Sequence, residues 1–168
     1  MESSKTLEIL KQAILLETRG RAFYSAVAEK ALDADVKQIF EIMAEEENQH
    51  IKFLSEQYKK YKVENKFDLS LIPDNYDEES IVEQILTKKI KENISGVSFE
   101  AAAIASAIDL ENRAIAVYSK RAEEAEDEDE RKFYGWLAQW ESGHHKILHE
   151  LDMELRDKVW SDNSFWPF

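Results

Sequence analysis

The feature that most constrains this chain is a repeat. Shifted by 94 residues, the first half of the sequence falls on the second without a gap. Glu17 lands on Glu111, Tyr24 on Tyr118, Ala28 on Ala122, Ala44 on Ala138, Glu47 on Glu141, His50 on His144 and Leu54 on Leu148. A supersecondary unit is therefore present twice. What that unit is follows from its apolar periodicity.

Four segments carry apolar residues at alternating spacings of three and four, the period of a core-facing helix. Helix 1 is expected from about Thr6 to Ala31, capped by Ser3 or Ser4, with a stripe of Leu7, Leu10, Ile14, Glu17, Arg21, Tyr24, Ala28 and Ala31. Helix 2 is expected from about Asp35 to Tyr61, with Val36, Phe40, Met43, Glu47, His50, Leu54, Gln57 and Tyr61. Helix 3 runs from Ser98 to about Ala125, through Ile104, Ile108, Glu111, Ile115 and Tyr118. Helix 4 runs from about Asp129 to Lys158, through Tyr134, Leu137, Glu141, His144, Leu148, Leu151 and Leu155. Between the pairs, residues 62–97 contain Pro73 and a short amphipathic segment, about Ser80 to Asn93. Such a stretch is too long for a hairpin turn and suits a crossover along a bundle. The expected fold is all-α. It is a four-helix bundle of two repeated hairpins, 6–61 and 98–158, in one domain spanning 1–168. An aromatic tail, 159–168, either covers the bundle end or docks on a partner.

Composition agrees and excludes several functions. Only 4 Gly and 2 Pro occur in 168 residues, too few turn formers for a β-sandwich or barrel. The net charge of −13 argues against nucleic acid or an anionic membrane as partner, and favours cations. Cysteine is absent, which removes disulfides, thiolate zinc sites and iron–sulfur clusters. The N-terminus leads straight into the amphipathic pattern with no apolar signal segment, so a soluble cytoplasmic protein is expected.

Six polar residues interrupt the four stripes at matched depth: Glu17, Glu47, His50, Glu111, Glu141 and His144. In each Glu-x-x-His pair the two side chains lie about 60° apart on a helix and reach one point. Four buried carboxylates with nothing between them would repel and lose solvation, at several kcal/mol per ion. Two divalent cations cancel the four charges. No His-Glu-x-x-His of a zinc hydrolase is present, and carboxylates mixed with imidazoles suit two redox-active first-row ions. Tyr24 and Tyr118 lie two turns beyond the lone glutamates, placed to hydrogen-bond a ligand or donate a proton, or simply to pack in the core. Arg21 pairs with an acid or reaches outwards. Glu45 and Glu46 read as solvated charge, His145 and His149 as surface residues or supports behind the site, and Phe133, Trp136 and Trp140 as core.

At this point the chain resembles the ferritin-like diiron-carboxylate proteins, and most closely their rubrerythrin branch. One Glu from each of two helices plus Glu-x-x-His from each of the others is that superfamily's motif. The resemblance covers residues 6–157. It implies two iron ions, with manganese or zinc as alternatives. His50 and His144 would each ligate one ion, and Glu47, Glu141 or the lone glutamates would bridge them. It implies peroxide or dioxygen reduction fed by an external rubredoxin-like electron donor; a small homo-oligomer, taken as a dimer, is expected. The alternative is a ferroxidase, iron-storage or metal-buffering protein of ferritin type. Two departures stand out: Ala114 occupies the place of an additional rubrerythrin glutamate, and the cysteine-bearing rubredoxin module is missing. Asn48 stands where a bacterioferritin carries its haem-binding Met, so haem is not expected.

Overall fold

A computed structural model describes residues 2–32, 34–72 and 99–161. The expected crossover helix, the expected start of helix 3 at Ser98, and residues 162–168 of the aromatic tail lie outside those residues. The structure is all-α: α1 (Glu2–Lys30), α2 (Ala34–Glu64), α3 (Phe99–Glu124) and α4 (Glu128–Ser161), with one 3-10 turn at Leu69–Leu71. At 1.5 Å rise per residue these helices span roughly 40–50 Å. The four-helix bundle expected from the repeat is what forms.

Helix ends differ from the sequence reading by a few residues. Helix α1 begins at Glu2, so Ser3 and Ser4 fall inside its first turn rather than capping it. Helix α2 begins at Ala34, which places Asp35 inside the helix, and continues past Tyr61 to Glu64. There Asn65 adopts φ 54° and its N–H bonds the Tyr61 carbonyl at 2.9 Å, the left-handed residue that ends many helices. Asp127 caps α4, its Oδ1 accepting the Glu130 N–H at 2.8 Å, with Glu128, Asp129 and Glu130 facing the positive helix end.

The two hairpins, α1–α2 and α3–α4, are each closely packed along their length, and their backbones approach one another little across the bundle. Side chains join them in two apolar clusters. One gathers Tyr24, Val27 and Ala28 with Val36, Ile39, Phe40 and Met43, Ile104 and Ala107, and Ile147, Leu148 and Leu151. The other gathers Leu10 and Ala13 with Leu54, Ala114, Tyr118, Phe133, Tyr134 and Leu137. Each draws on all four helices. The chain after α2 folds back so that buried Phe67 packs on Tyr61, Phe133 and Tyr134, ring centroids 5.2–6.0 Å apart. Gln57 Oε1 pins that return by accepting the Asp68 N–H at 3.1 Å. The six interrupting residues lie between the two clusters along each helix, so an apolar plug closes the polar layer on either side.

The repeat is imperfect at one bundle end. Val27 and Val36 belong to the core in the first hairpin, whereas the residues 94 positions on are Arg121 and Glu130. Arg121 donates from Nε and Nη2 to Glu130 Oε1, at 2.9 and 2.5 Å, with side chains 13% and 6% exposed. Removing one partner strands the other charge, a loss of about 3 kcal/mol, or roughly 6–12 °C in Tm for a domain this size. Arg121→Ala and Glu130→Ala are expected to show that loss in thermal melts. The double variant R121V/E130V, which copies the first hairpin, is expected to recover most of it.

Candidate metal centre

The six stripe-interrupting residues converge. Glu17, Glu47, Glu111, Glu141, His50 and His144 are each at most 3% exposed. They form two groups whose ligand atoms lie within 4.8 Å of one another: Glu17, Glu47, His50 and Glu141, and Glu47, Glu111, Glu141 and His144. Glu47 and Glu141 belong to both. Each lone glutamate and each histidine belongs to one.

The two histidines face the same interior through the same atom. His50 Nδ1 lies 2.9 Å from Glu17 Oε2, 2.9 Å from Glu141 Oε1 and 3.6 Å from Glu47 Oε2. His144 Nδ1 lies 3.3 Å from Glu141 Oε2, 3.6 Å from Glu111 Oε1 and 3.8 Å from Glu47 Oε1. The imidazoles are 5.8 Å apart and near-parallel at 29°. Glu47 Oε2, both Glu141 oxygens and His144 Nδ1 are buried without a hydrogen-bond partner among the described residues. Buried polar atoms without partners are rare in native proteins and mark a missing ion or a chemical role. A donor set of carboxylates and imidazoles fits divalent first-row cations.

The lone glutamates are held crosswise between the hairpins. Tyr24 on α1 donates its hydroxyl to Glu111 on α3, and Tyr118 on α3 donates to Glu17 on α1. Both tyrosines are fully buried. Each bond uses one carboxylate oxygen and orients the other.

Helix α1 presents Gly20, not Arg21, on its inner side. A Cβ at Gly20 would meet the Glu47 carboxylate carbon at 3.2 Å and Oε1 at 3.3 Å, so glycine lets α1 approach that carboxylate. Arg21 is exposed and donates to Asn48 Oδ1 at 3.3 Å rather than pairing with an acid. Its place on the expected stripe is taken by the glycine one position earlier. Gly20 and its repeat mate Ala114 line a cavity of about 20 Å³, together with Glu17, Glu47, Glu111 and Glu141. That volume holds about one water-sized molecule. His149 is exposed and stacks on half-buried His145, ring centroids 5.9 Å apart.

One residue of the site was misread from sequence. Glu46 is 8% exposed rather than solvated, and its Oε2 accepts a hydrogen bond from His144 Nε2. Helix α2 buries two adjacent columns, through Ile39, Met43 and Glu46 and through Phe40, Glu47 and His50, because it packs between α1 and α4. The repeat held the signal: the residue 94 positions on is Trp140, which is apolar.

Without a metal the charges redistribute by protonation. Burial, reinforced by Glu141, pushes Glu111 up to about 8, and burial with Glu141 and Glu17 raises Glu47 well above the carboxylate range. Burial pushes Glu141 up as well, but His50 and His144 outweigh it and hold this carboxyl well below the usual range. Both histidines are raised, the surrounding carboxylates overcoming burial. Burial and the neighbouring glutamates raise Tyr24 and Tyr118, so both hydroxyls stay protonated.

Compared with protein-family models, the chain matches one described as Rubrerythrin over residues 8–152. Neither a curated protein nor a solved structure matches it.

The raised carboxyls give the metal-free protein a defined pH dependence. Between their ordinary pKa near 4.5 and the folded value near 8 of Glu111, the folded state binds more protons than the unfolded chain. Their contribution, and that of the raised histidines, is present at low pH and lost as pH rises through the folded values. Depressed Glu141 acts oppositely and weakens the fold only on acidification below its ordinary range. The metal-free Tm is expected to fall between about pH 5.5 and 8. Ligands must shed protons to bind a cation, so the stabilisation by added divalent metal should grow over the same interval. Thermal melts with and without metal across that range measure both.

Proposed function

The chain belongs to the rubrerythrin family, and on that premise we propose that it holds two iron ions and reduces peroxide or dioxygen. The observation that carries this reading is the sharing of Glu47 and Glu141 by two donor groups. Two carboxylates common to two donor sets are what a bridged pair of cations requires. Glu17 and His50 would complete one position, and Glu111 and His144 the other. Four carboxylates neutralise two divalent ions, and the unpartnered Glu47, Glu141 and His144 atoms gain partners. Manganese and zinc are the alternatives that metal analysis separates.

When bound, the pair supplies two electrons at one place, enough to convert peroxide and two protons into two waters. The surrounding residues hold the reactants for that exchange. Tyr24 and Tyr118 carry hydroxyl protons at the carboxylates of Glu111 and Glu17. Gly20 and Ala114 leave an opening of about one water's volume beside the carboxylates, and the two apolar clusters exclude bulk water. We take the electrons to come from a separate donor protein of rubredoxin type. Among the described residues no helix is long and apolar enough to cross a membrane. We take the working form to be a homodimer.

The test is anaerobic loading of the metal-free protein with ferrous iron, followed by peroxide. The expected result is two ferrous ions bound per chain and their rapid oxidation, read as ferric absorption in the near ultraviolet. No fast oxidation refutes the reading, and continued uptake and oxidation of iron well beyond two per chain points instead to ferritin-type storage. The bridging assignment makes its own prediction. Glu141→Gln should weaken both metal-binding steps by at least about tenfold, or ~1.4 kcal/mol each. Glu17→Gln should weaken one step and spare the other.

A further inference from the structure

Outside the six residues, the two halves of the centre differ behind their histidines. Behind His144 stands Glu46, buried on α2, with Oε2 accepting from His144 Nε2. Behind His50 stands the residue 94 positions on from Glu46, which is Trp140. Its ring meets the His50 imidazole edge-on, with centroids 4.3 Å apart at 87°. His50 Nε2 has no hydrogen-bond partner among the described residues.

We propose that Glu46 is a positioning residue that makes the two metal positions inequivalent, the one completed by His144 and Glu111 binding its metal more tightly. This rests on the reading of the six residues as ligands. A carboxylate accepting Nε2–H fixes the imidazole tautomer with its lone pair on Nδ1, the atom that faces Glu111 and Glu141. The same bond stops ring rotation and pushes electron density towards Nδ1. An indole has a donor N–H and no acceptor lone pair, so Trp140 constrains His50 by packing but cannot accept its Nε2–H. Glu46 also places a fifth carboxylate on one side only of a site whose four shared and terminal carboxylates already match two divalent ions. The symmetry of the ligands is therefore not a symmetry of their support.

The experiment is a titration of the metal-free protein with cobaltous ion, followed by its visible absorption and by competition with a chelator of known affinity. His50→Ala leaves only the His144 position and His144→Ala only the other, which assigns each step. The wild type is expected to show two steps, the tighter matching that of H50A. Glu46→Gln keeps the shape and an acceptor oxygen but removes the charge, and should weaken the tighter step about tenfold; Glu46→Leu should weaken it by up to about a hundredfold. In both, the step seen in H144A should stay within about twofold, well under the tenfold loss such supports usually control. Circular dichroism checks the fold, and E46Q, nearly isosteric, carries the test if E46L does not fold. Unchanged steps in a wild-type-like two-metal protein overturn the role of Glu46 alone, as does weakening confined to the His50 position. A wild type that binds fewer than two cobaltous ions overturns the ligand reading and this inference together.

Discussion

Everything in this fold answers to four carboxylates held out of water at one level of the bundle. Glu17, Glu47, Glu111 and Glu141 are nearly inaccessible and within a few ångströms of one another. In a low-dielectric interior such a set is unstable as four anions, since each loses solvation worth several kcal/mol and each repels the others. Without a metal the charge is relieved by proton retention at Glu47 and Glu111 and by two imidazoliums that hold Glu141 ionised. Two cations do the same more completely. The remainder of the chain supplies the scaffold that brings the set together.

That scaffold is joined by bonds that cross between hairpins whose backbones hardly meet. Tyr24 reaches from the first hairpin to Glu111 of the second, and Tyr118 returns the contact to Glu17. His50 approaches Glu141, and His144 is held by Glu46. The polar layer is thus also a clasp, and the apolar clusters on either side align the helices so that it closes. Site and fold are coupled because the same residues define both.

Within this near-symmetry the departures carry the individuality of the protein. Arg121 and Glu130 replace a pair of core valines at one bundle end, exchanging burial for a desolvated ion pair. Gly20 and Ala114, small residues in matching positions, leave an opening over the carboxylates. Glu46 and Trp140 give the two histidines different supports. A duplicated hairpin begins with two equivalent halves, and substitutions at such positions are how the halves come to differ.

The sequence by itself determined the fold class, the four helices and the six residues that converge. An amphipathic helix writes its inward face into a period of 3.6 residues, and the offset of 94 aligns the two halves. Polar residues at stripe positions then stand out against an apolar background. Where two columns of one helix are both buried, the period alone misleads. Glu46 lies one position from Glu47, and only the packing of α2 between two neighbours shows that both point inward. Of the two readings open for Arg21, pairing with an acid or reaching outwards, the structure takes the second, because the inner position on that turn belongs to Gly20, whose missing Cβ leaves no mark in a hydrophobic pattern. Tyr24 and Tyr118 were legible as candidates, but their crosswise partners were not, since a bond across 87 or 101 residues depends on how hairpins pack rather than on local spacing. Tertiary structure likewise decided which carboxylates are shared. Each helix presents one glutamate to the layer, and only the positions of all four axes bring Glu47 and Glu141 within reach of both histidines.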